Sequence, residues 1–382
     1  MVVLENCEKY EYELVREKVS AIFDAFGGVG KFVKPGAKVV LKPNLISKKR
    51  PEEAATTHPS ILRAVAELCI GAGGSVLVAE SPGGVYDKAA LKSIYKASGI
   101  EDAAMQAGAE LNYDTSVTKI QNPGGKYLKT LEILTPLAEA DVIIDLAKLK
   151  THGMMVYTGA VKNMFGAIAG VDKAEYHMKM PDYDSFADTI IDIFLSTKVT
   201  FSIIDAITGM HKDGPTAGDP IDIGVLIGSD NAFEADRAAM YMIGADLGRV
   251  PVARMAVERG LMTADIAEVE FKGGCDIERA RALAKGFVVK YNDSNSRLHF
   301  SDGIVGRALE KLIKPRPVFT KACRSCGKCA MHCPVKAITV EKGKRAKADL
   351  NICIRCYCCQ ELCPFKAVKI KKTLVARIAQ KI

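Results

Sequence analysis

Eight of the twelve cysteines fall into two phrases of identical spacing near the end of this 382-residue chain. Each phrase has the form Cys-x2-Cys-x2-Cys-x3-Cys-Pro, and the cysteines are Cys323, Cys326, Cys329, Cys333, Cys353, Cys356, Cys359 and Cys363. This spacing is typical of chains that bind [4Fe-4S] clusters, where the fourth cysteine of one phrase ligates the cluster of the other. The sequence therefore predicts two [4Fe-4S] clusters and one-electron chemistry, with Cys333 and Cys363 exchanged between the phrases.

Zinc is the alternative metal for a Cys-x2-Cys motif. Zinc ribbons pair two such motifs across a longer gap and need no third cysteine three residues further on, so the complete double phrase favours iron–sulfur clusters. Cys358 fits neither phrase and is interpreted as a non-ligand.

Cationic and amide side chains gather just beyond short apolar runs in the first half of the chain. They are Lys42, Asn44, Lys148, Lys150, His152, Lys162, Asn163, Lys173 and His177. In an open α/β sheet, ligands bind outside the carboxyl ends of the strands, and lysines with histidines there suit a carboxylate or phosphate. A single loop lysine is more often only solvated. Taken together, Lys150, His152 and Lys162 are interpreted as charge clamp and proton donor, and the other six as substrate-binding residues.

Five short apolar runs rich in β-branched residues predict strands buried on both faces of a sheet. They cover residues 38–45, 75–81, 142–148, 201–207 and 223–229, and helical patterns cover 58–71, 87–98, 184–196 and 232–243. Because strands and helices alternate, the sequence predicts an α/β fold with a mostly parallel sheet flanked by helices.

The domain organisation follows from the prolines and from an internal repeat. Residues 1–313 are predicted to form the α/β domain, and Lys314-Pro315-Arg316-Pro317 is a predicted linker because its prolines stop a helix. Residues 318–371 are predicted to form a small α+β ferredoxin-like iron–sulfur domain, in which the segment after Cys333 matches the segment after Cys363. Residues 372–382 are predicted to form a short basic helix.

Charge and hydrophobicity limit the partners. The formal net charge is +8, but the lysines are spread along the chain without an arginine-rich run, which favours a solvated surface over nucleic-acid binding. The sequence has no uncharged apolar run of about 18 residues, so no membrane span is expected. The first residues lack a secretory pattern, and abundant cysteines without one indicate metal binding in a reducing cytoplasm.

Three phrases in the first half of the chain resemble the family labelled domain of unknown function 362 over about residues 37–245. They are Leu41-Lys42-Pro43-Asn44, Lys148-Leu149-Lys150-Thr151-His152 and Thr158-Gly159-Ala160-Val161-Lys162-Asn163-Met164-Phe165-Gly166. The resemblance implies that the polar residues of these phrases occupy the hallmark positions of the family. The end of the chain resembles a bacterial-type two-cluster ferredoxin, which implies low-potential one-electron transfer.

The sequence therefore predicts a cytoplasmic iron–sulfur protein that exchanges electrons with a soluble donor or acceptor such as ferredoxin. The electrons would reduce an anionic small molecule in the α/β domain, as in a ferredoxin-dependent oxidoreductase. Two alternatives stay open: a non-catalytic electron carrier, and a cofactor or metal maturation factor with His152, His177 and Asp205 as ligands.

Overall fold

The computed structural model describes residues 1–170, 172–180, 182–291 and 315–372. Its described strands are β1 (Val2–Asn6), β2 (Lys38–Pro43), β3 (Ser75–Val78), β4 (Glu110–Leu111), β5 (Val117–Gln121), β6 (Thr130–Leu134), β7 (Val142–His152), β8 (Val156–Thr158), β9 (Phe201–His211), β10 (Asp219–Ser229), β11 (Phe271–Lys272), β12 (Arg316–Phe319), β13 (Ile338–Thr339), β14 (Lys347–Ala348) and β15 (Val368–Lys371).

The described α-helices are α1 (Tyr12–Asp24), α2 (Pro59–Gly71), α3 (Lys88–Ala97), α4 (Ile100–Ala107), α5 (Thr135–Ala138), α6 (Ala160–Asn163), α7 (Lys173–Lys179), α8 (Tyr183–Thr197), α9 (Ala232–Met242), α10 (Pro251–Glu258), α11 (Ile277–Leu283), α12 (Lys328–Met331) and α13 (Cys358–Glu361). The four helices predicted from the sequence are α2, α3, α8 and α9, and no end differs from its prediction by more than one residue.

Nine strands form one central sheet in the order β11-β1-β10-β9-β7-β2-β3-β4, with β8 added beside β7. The strands β9, β7, β2, β3 and β4 run parallel to their neighbours in this order. The predicted α/β fold with a mostly parallel sheet is therefore confirmed. The expectation that β10 is also parallel is wrong, because only seven residues join β9 to β10 and so short a connection permits only an antiparallel pair.

Strand β7 lies in the middle of the sheet and is buried along its whole length. Ile143, Ala147 and Leu149 pack into the hydrophobic core on one face, while Ile144 and Leu146 pack into the core on the other. Helices cover both faces of the sheet, so the apolar side chains of β7 are buried whichever face they point to.

The structure extends β7 by four residues beyond the predicted end at Lys148. The chain turns back after His152 into β8, which pairs antiparallel with β7 so that Lys150 lies opposite Thr158. Lys150 and His152 are therefore fixed by strand pairing instead of standing in a loop.

The C-terminal module (residues 315–372) contains two small antiparallel pairs, β12 with β15 and β13 with β14. Two of the four residues predicted as a linker, Arg316 and Pro317, belong to β12, where they lie opposite Lys371 and Ile370. Residues 292–314 lie outside the described residues, as do residues 373–382, which include all but the first residue of the predicted C-terminal helix.

Candidate active site and iron–sulfur module

A cavity of about 320 Å³ lies between the α/β domain and the C-terminal module. Its floor is the carboxyl edge of three neighbouring parallel strands, β7, β2 and β3, as expected for a ligand site in such a sheet. Seven of the nine predicted α/β site residues line it: Asn44, Lys150, His152, Lys162, Asn163, Lys173 and His177. The module contributes the opposite wall, which includes Met331, His332, Cys333, Cys358 and Glu361.

The other two predicted residues, Lys42 and Lys148, do not line the cavity. The buried Lys42 ammonium pairs with the buried carboxylate of Glu80. Lys148 Nζ donates to Asp205 Oδ2 at 2.8 Å and to the hydroxyl of Tyr10 at 2.8 Å. Each of these lysines is therefore neutralised by a buried carboxylate, and its predicted role in substrate binding is replaced by a structural one.

Two of the three lysines that line the cavity, Lys150 and Lys173, are held by neutral acceptors. Lys150 Nζ donates to Asn44 Oδ1 at 2.5 Å and to the carbonyl of Ala55 at 2.7 Å. Lys173 Nζ donates to the backbone carbonyls of Ser81 and Pro82. Within the described part of the chain, no carboxylate oxygen lies within 4.0 Å of the Lys150, Lys162 or Lys173 ammonium.

Burial lowers the pKa of all three cavity lysines because the charged ammonium loses its hydration. The pKa of Lys173 falls to about 8, and that of Lys150 falls well below its ordinary value, with the charge of Lys162 as a further cause. An anion placed between these ammonium groups would stabilise their charged forms. The positive charge of the lysines therefore favours a negatively charged ligand in the cavity.

A chain of two amides orients Lys150. Asn163 Nδ2 donates to Asp145 Oδ1 at 2.7 Å, and Asn163 Oδ1 accepts from Asn44 Nδ2 at 2.7 Å. The remaining amide oxygen, Asn44 Oδ1, is therefore turned toward Lys150. Asp145 anchors the chain in the core, where burial raises the pKa of its carboxyl to about 8. The polar groups of Asn44 and Asn163 are thus engaged in positioning a lysine.

Both ring nitrogens of His152 have partners. Nδ1 accepts from the backbone N–H groups of Met154 and Met155, each at 3.1 Å, so Nδ1 carries no proton. Nε2 therefore carries the proton and donates it to Glu361, whose Oε1 lies 2.9 Å away. Burial lowers the pKa of His152, consistent with this neutral tautomer. The sequence suggested His152 as a charge clamp and proton donor for a ligand. In the structure, its proton is instead engaged with Glu361 of the module.

His177 forms the apolar end of the cavity together with aromatic rings. Its ring stacks on Phe186 with centroids 4.3 Å apart and meets the edge of Phe165 at 6.1 Å. The ring is buried, its Nδ1 has no hydrogen-bond partner among the described residues, and burial lowers its pKa to about 4. A neutral imidazole stacked on Phe186 therefore lines the apolar end of the cavity.

The module is fixed to the α/β domain by close packing and hydrogen bonds. A Cβ at Gly153 would lie 2.7 Å from Ile370 Cδ1 and 2.8 Å from Gln360 Oε1, so a larger residue there would have to displace these two side chains of the module. Thr216 Oγ1 donates to the Glu361 carbonyl at 2.9 Å, and Lys369 Nζ lies 3.2 Å from Asp213. These contacts hold the wall that carries Cys333 against the cavity.

Two further cavities in the module collect the cysteines of the repeated phrases. One is lined by Cys323, Cys326, Cys329 and Cys363. The other is lined by Cys333, Cys353, Cys356 and Cys359, and also by Cys358, which belongs to neither phrase. Each therefore combines three cysteines of one phrase with the fourth cysteine of the other, which is the arrangement that the spacing predicts.

Backbone amides point at several of these sulfurs. Ala337 N donates to Cys333 Sγ at 3.2 Å, and Ala367 N donates to Cys363 Sγ at 3.3 Å. The two alanines hold equivalent positions in the repeat, four residues after the fourth cysteine of each phrase. Thiols converging on one space, with amide donors to the sulfurs, fit a cubane iron–sulfur cluster.

The sequence did not identify three residues that matter at this site. Glu361 brings a carboxylate from the module into the cavity, and Glu80 neutralises Lys42. Asp236 accepts from the Ala160 and Val161 N–H groups at 2.7 and 3.0 Å, which fixes the first turn of the helix that carries Lys162. An isolated carboxylate far along the chain from its partner gives no local pattern, so no sequence signal pointed to them.

The three residues that the sequence suggested as metal ligands in the α/β domain, His152, His177 and Asp205, do not form one site. Asp205, a candidate third ligand with His152 and His177, instead accepts from Lys148 and Tyr10. In the described ranges, no three His, Cys, Asp or Glu side chains are grouped so as to hold a single metal ion. Nor does any helix in these ranges combine the length and apolar character needed to cross a bilayer.

A mostly parallel α/β sheet joined to a module with two cysteine-lined cavities defines an iron–sulfur α/β protein. The chain belongs to the family described as domain of unknown function (DUF362), whose model matches residues 39–241. A second model, described as a 4Fe-4S dicluster domain, matches residues 322–367. The family and the ferredoxin-type 4Fe-4S domain expected from the sequence are both confirmed.

The chain is also similar to a relative from Synechocystis sp. and to two solved structures. The thylakoid-associated protein sll1697 of Synechocystis sp. is 30% identical over 277 residues, which cover 71% of this chain and 82% of the relative. The lactate racemase apoprotein of Thermoanaerobacterium thermosaccharolyticum matches with 13% identity and a TM-score of 0.40, over 63% of this chain and 56% of the racemase. A Thermotoga maritima protein matches with 13% identity and a TM-score of 0.36, over 66% of this chain and 60% of its own.

Proposed function

We propose that this protein is a reductase that passes low-potential electrons through two [4Fe-4S] clusters to an anionic substrate or cofactor in the cavity between its two parts. One observation carries the proposal: three lysines and a cysteine of the repeated phrases line the same cavity. Lys150 is fully buried and Lys162 and Lys173 are half-buried, and none of the three has a carboxylate partner within 4.0 Å among the described residues. A ligand in that cavity would contact both the cationic groups and Cys333.

The division among the lysines supports an external anion. The two lysines outside the cavity, Lys42 and Lys148, each have a carboxylate of the chain itself. Lys150 and Lys173 have only amide and carbonyl acceptors, and Lys162 has no acceptor among the described residues, so no carboxylate compensates their positive charge. Buried charge without a counterion is costly, so binding of a carboxylate or phosphate would remove part of that cost.

The clusters would be held by the two sets of four cysteines that line the module cavities. When bound, they would supply electrons one at a time at a potential tuned by the amide donors and by burial. Cys333 takes part in the second set and also lines the central cavity, so this set is the one next to the ligand.

The cavity also holds groups that can supply protons to a reduced ligand. Lys150 and Lys162 have pKa values lowered toward neutrality by burial, which makes an ammonium a better acid. Lys162 has no hydrogen-bond or ion-pair partner among the described residues and is therefore the more available donor. The ring of His177, packed with Phe165 and Phe186, would contact the apolar part of the ligand.

Calorimetric titration of the anaerobically purified holoprotein tests the proposal. The panel contains small carboxylates, phosphates and divalent metal ions. We expect one class of anion to bind with a stoichiometry of one, and Lys162→Met to weaken it at least about tenfold, the effect of losing a buried charge contact. Binding of a metal ion instead, with no anion bound, would favour a maturation factor; no binding at all would favour an electron carrier.

A further inference from the structure

The net positive charge of the chain comes from its C-terminal module, where acidic residues are few. Residues 315–372 contain 14 lysines and arginines but only three acidic residues, which gives the module a formal charge of +11. The whole chain carries +8, so the remainder of the chain is net negative by three. An oxidised [4Fe-4S] cluster with four thiolates contributes about −2, so the module stays strongly basic with both clusters bound.

The two cysteine cavities of the module differ in their exposure. The cavity of Cys323, Cys326, Cys329 and Cys363 opens at the surface, where Cys326 is exposed. The phrase cysteines of the other cavity are all buried or half-buried: Cys356 is 9% exposed, and the neighbouring Tyr357 is 2% exposed and packs into the core of the α/β domain. An electron from outside would therefore enter beside Cys326, and the second cavity lies next to the ligand.

Basic side chains surround the exposed cysteine cavity. Arg324 and Lys328 line it and are exposed. Ser325 Oγ donates to the Lys344 carbonyl at 2.5 Å, and Ala346 N lies 3.5 Å from Cys323 Sγ, so the loop 341–347 is held beside the same cavity. This loop exposes Lys342, Arg345 and Lys347. We call these five exposed cations, Arg324, Lys328, Lys342, Arg345 and Lys347, the basic face.

Few acidic residues offset the basic face. Glu341 pairs with Lys344 at 2.5 Å, and Glu361 is turned into the central cavity. Beside the cations, Phe365 is 43% exposed and lines the same cysteine cavity. An exposed aromatic ring with a charged rim is the usual composition of a protein-binding surface.

We propose that the basic face and Phe365 form the docking surface for a small acidic electron-transfer protein. Each encounter oxidises the reduced partner by one electron and reduces the holoprotein by one electron, and no atom is transferred. Opposite charges on the two proteins accelerate the encounter and orient the partner over Cys326, where the transfer distance is shortest. The inference rests on the proposed function, because it names the surface by which the electrons arrive.

The test uses the anaerobic holoprotein and, as probe, a reduced acidic plant-type [2Fe-2S] ferredoxin. The second-order rate of electron transfer is followed by stopped-flow absorbance at increasing sodium chloride, and binding of the oxidised proteins is measured by calorimetry. The double variant Arg324→Glu with Arg345→Glu reverses two charges of the basic face. Its control, Lys31→Glu with Lys34→Glu, makes the same charge change just before β2, at the opposite edge of the sheet.

We expect the wild-type rate to fall at least about tenfold from low to high salt, as steered association does. The basic-face variant should show a similar loss at low salt and weaker binding, while the control changes less than about twofold. The fraction of cluster reduced by excess dithionite should be equal in all three proteins, because a small reductant needs no docking surface.

A rate that is independent of salt and equal in both double variants would overturn the docking surface while leaving the proposed function intact. The docking surface would also be overturned if the basic-face variant kept the wild-type rate with ferredoxin and lost binding only to anionic phospholipid vesicles or to DNA. Failure of dithionite to reduce the wild type would instead remove the proposed function, and the docking surface with it.

Discussion

His152 Nε2 and Glu361 Oε1 lie 2.9 Å apart across the boundary between the α/β domain and the C-terminal module. The basic cavity of one part thus contains a carboxylate of the other. The pKa of Glu361 is lowered to about 2 despite burial, because His152, Lys162 and His177 lie near it. Glu361 stays charged at neutral pH and competes electrostatically with any anionic ligand.

Replacing Glu361 by glutamine should therefore increase the affinity for the anionic ligand. The amide keeps the shape and a hydrogen-bond acceptor for His152 but removes one negative charge, which at an effective dielectric constant of about 20 corresponds to on the order of tenfold or more in affinity. Calorimetry measures the change, and Glu341→Gln on the exposed loop is the matched control. Unchanged or weaker binding in Glu361→Gln would show that the ligand does not approach this carboxylate.

The two kinds of lysine should respond differently to mutation. Lys148→Met leaves the fully buried carboxylate of Asp205 without its cation, which should lower the free energy of unfolding by about 3–5 kcal/mol. Lys162→Met breaks no ion pair within 4.0 Å among the described residues and should cost less than about 1 kcal/mol, while greatly reducing anion binding. Urea unfolding of the holoproteins under argon compares them; equal destabilisation would contradict the division into structural and ligand-binding lysines.

Anion binding should weaken at alkaline pH. Burial lowers the pKa of Lys173 to about 8, so its ammonium is present below that pH and is lost as the pH rises through it. Affinity should fall over this range, although bound anion raises the pKa and shifts the fall upward. Lys173→Arg should reduce the alkaline loss because guanidinium stays protonated. An identical pH profile in that variant would exclude Lys173 from binding.

Double cysteine variants can test the exchange of ligands between the phrases. If Cys333 serves the set with Cys353, Cys356 and Cys359, then Cys333→Ser with Cys356→Ser should lose no more iron than either single variant. Cys333→Ser with Cys326→Ser should lose about twice as much, because each change would affect a different cluster. Iron and acid-labile sulfide analysis decides the matter, and the opposite ranking would assign Cys333 to its own phrase.

The sequence predicted the parts of this architecture that depend on neighbouring residues. The cysteine phrases are continuous, and the apolar run of β7 marks a buried strand without knowledge of the rest of the fold. The sequence could not show that Lys148 forms a buried ion pair while Lys150, two positions further along the same strand, lines the cavity. Asp205, which neutralises Lys148, lies 57 residues further on and reaches it only through the pairing of β7 with β9.

The same limit applies to the cavity wall. Glu361 lies inside the second cysteine phrase, between Cys359 and Cys363, where its sequence context suggests only a surface residue of a ferredoxin-like module. Its place beside His152 depends on how the module packs against Gly153, which no local pattern encodes. The antiparallel pairing of β9 and β10 was hidden for a similar reason. The predicted strands 201–207 and 223–229 leave a gap long enough for a crossover, and only the longer observed strands, Phe201–His211 and Asp219–Ser229, shorten the connection to seven residues.

The central claim is that electrons pass from the module to an anion in the cavity. The most direct measurement mixes chemically reduced holoprotein with the anion selected by titration and follows the visible absorbance anaerobically. We predict an oxidation rate that rises with anion concentration to a plateau, and a rate at least about tenfold lower in Lys162→Met at equal iron content. No oxidation, or an equal rate in Lys162→Met, would contradict the account.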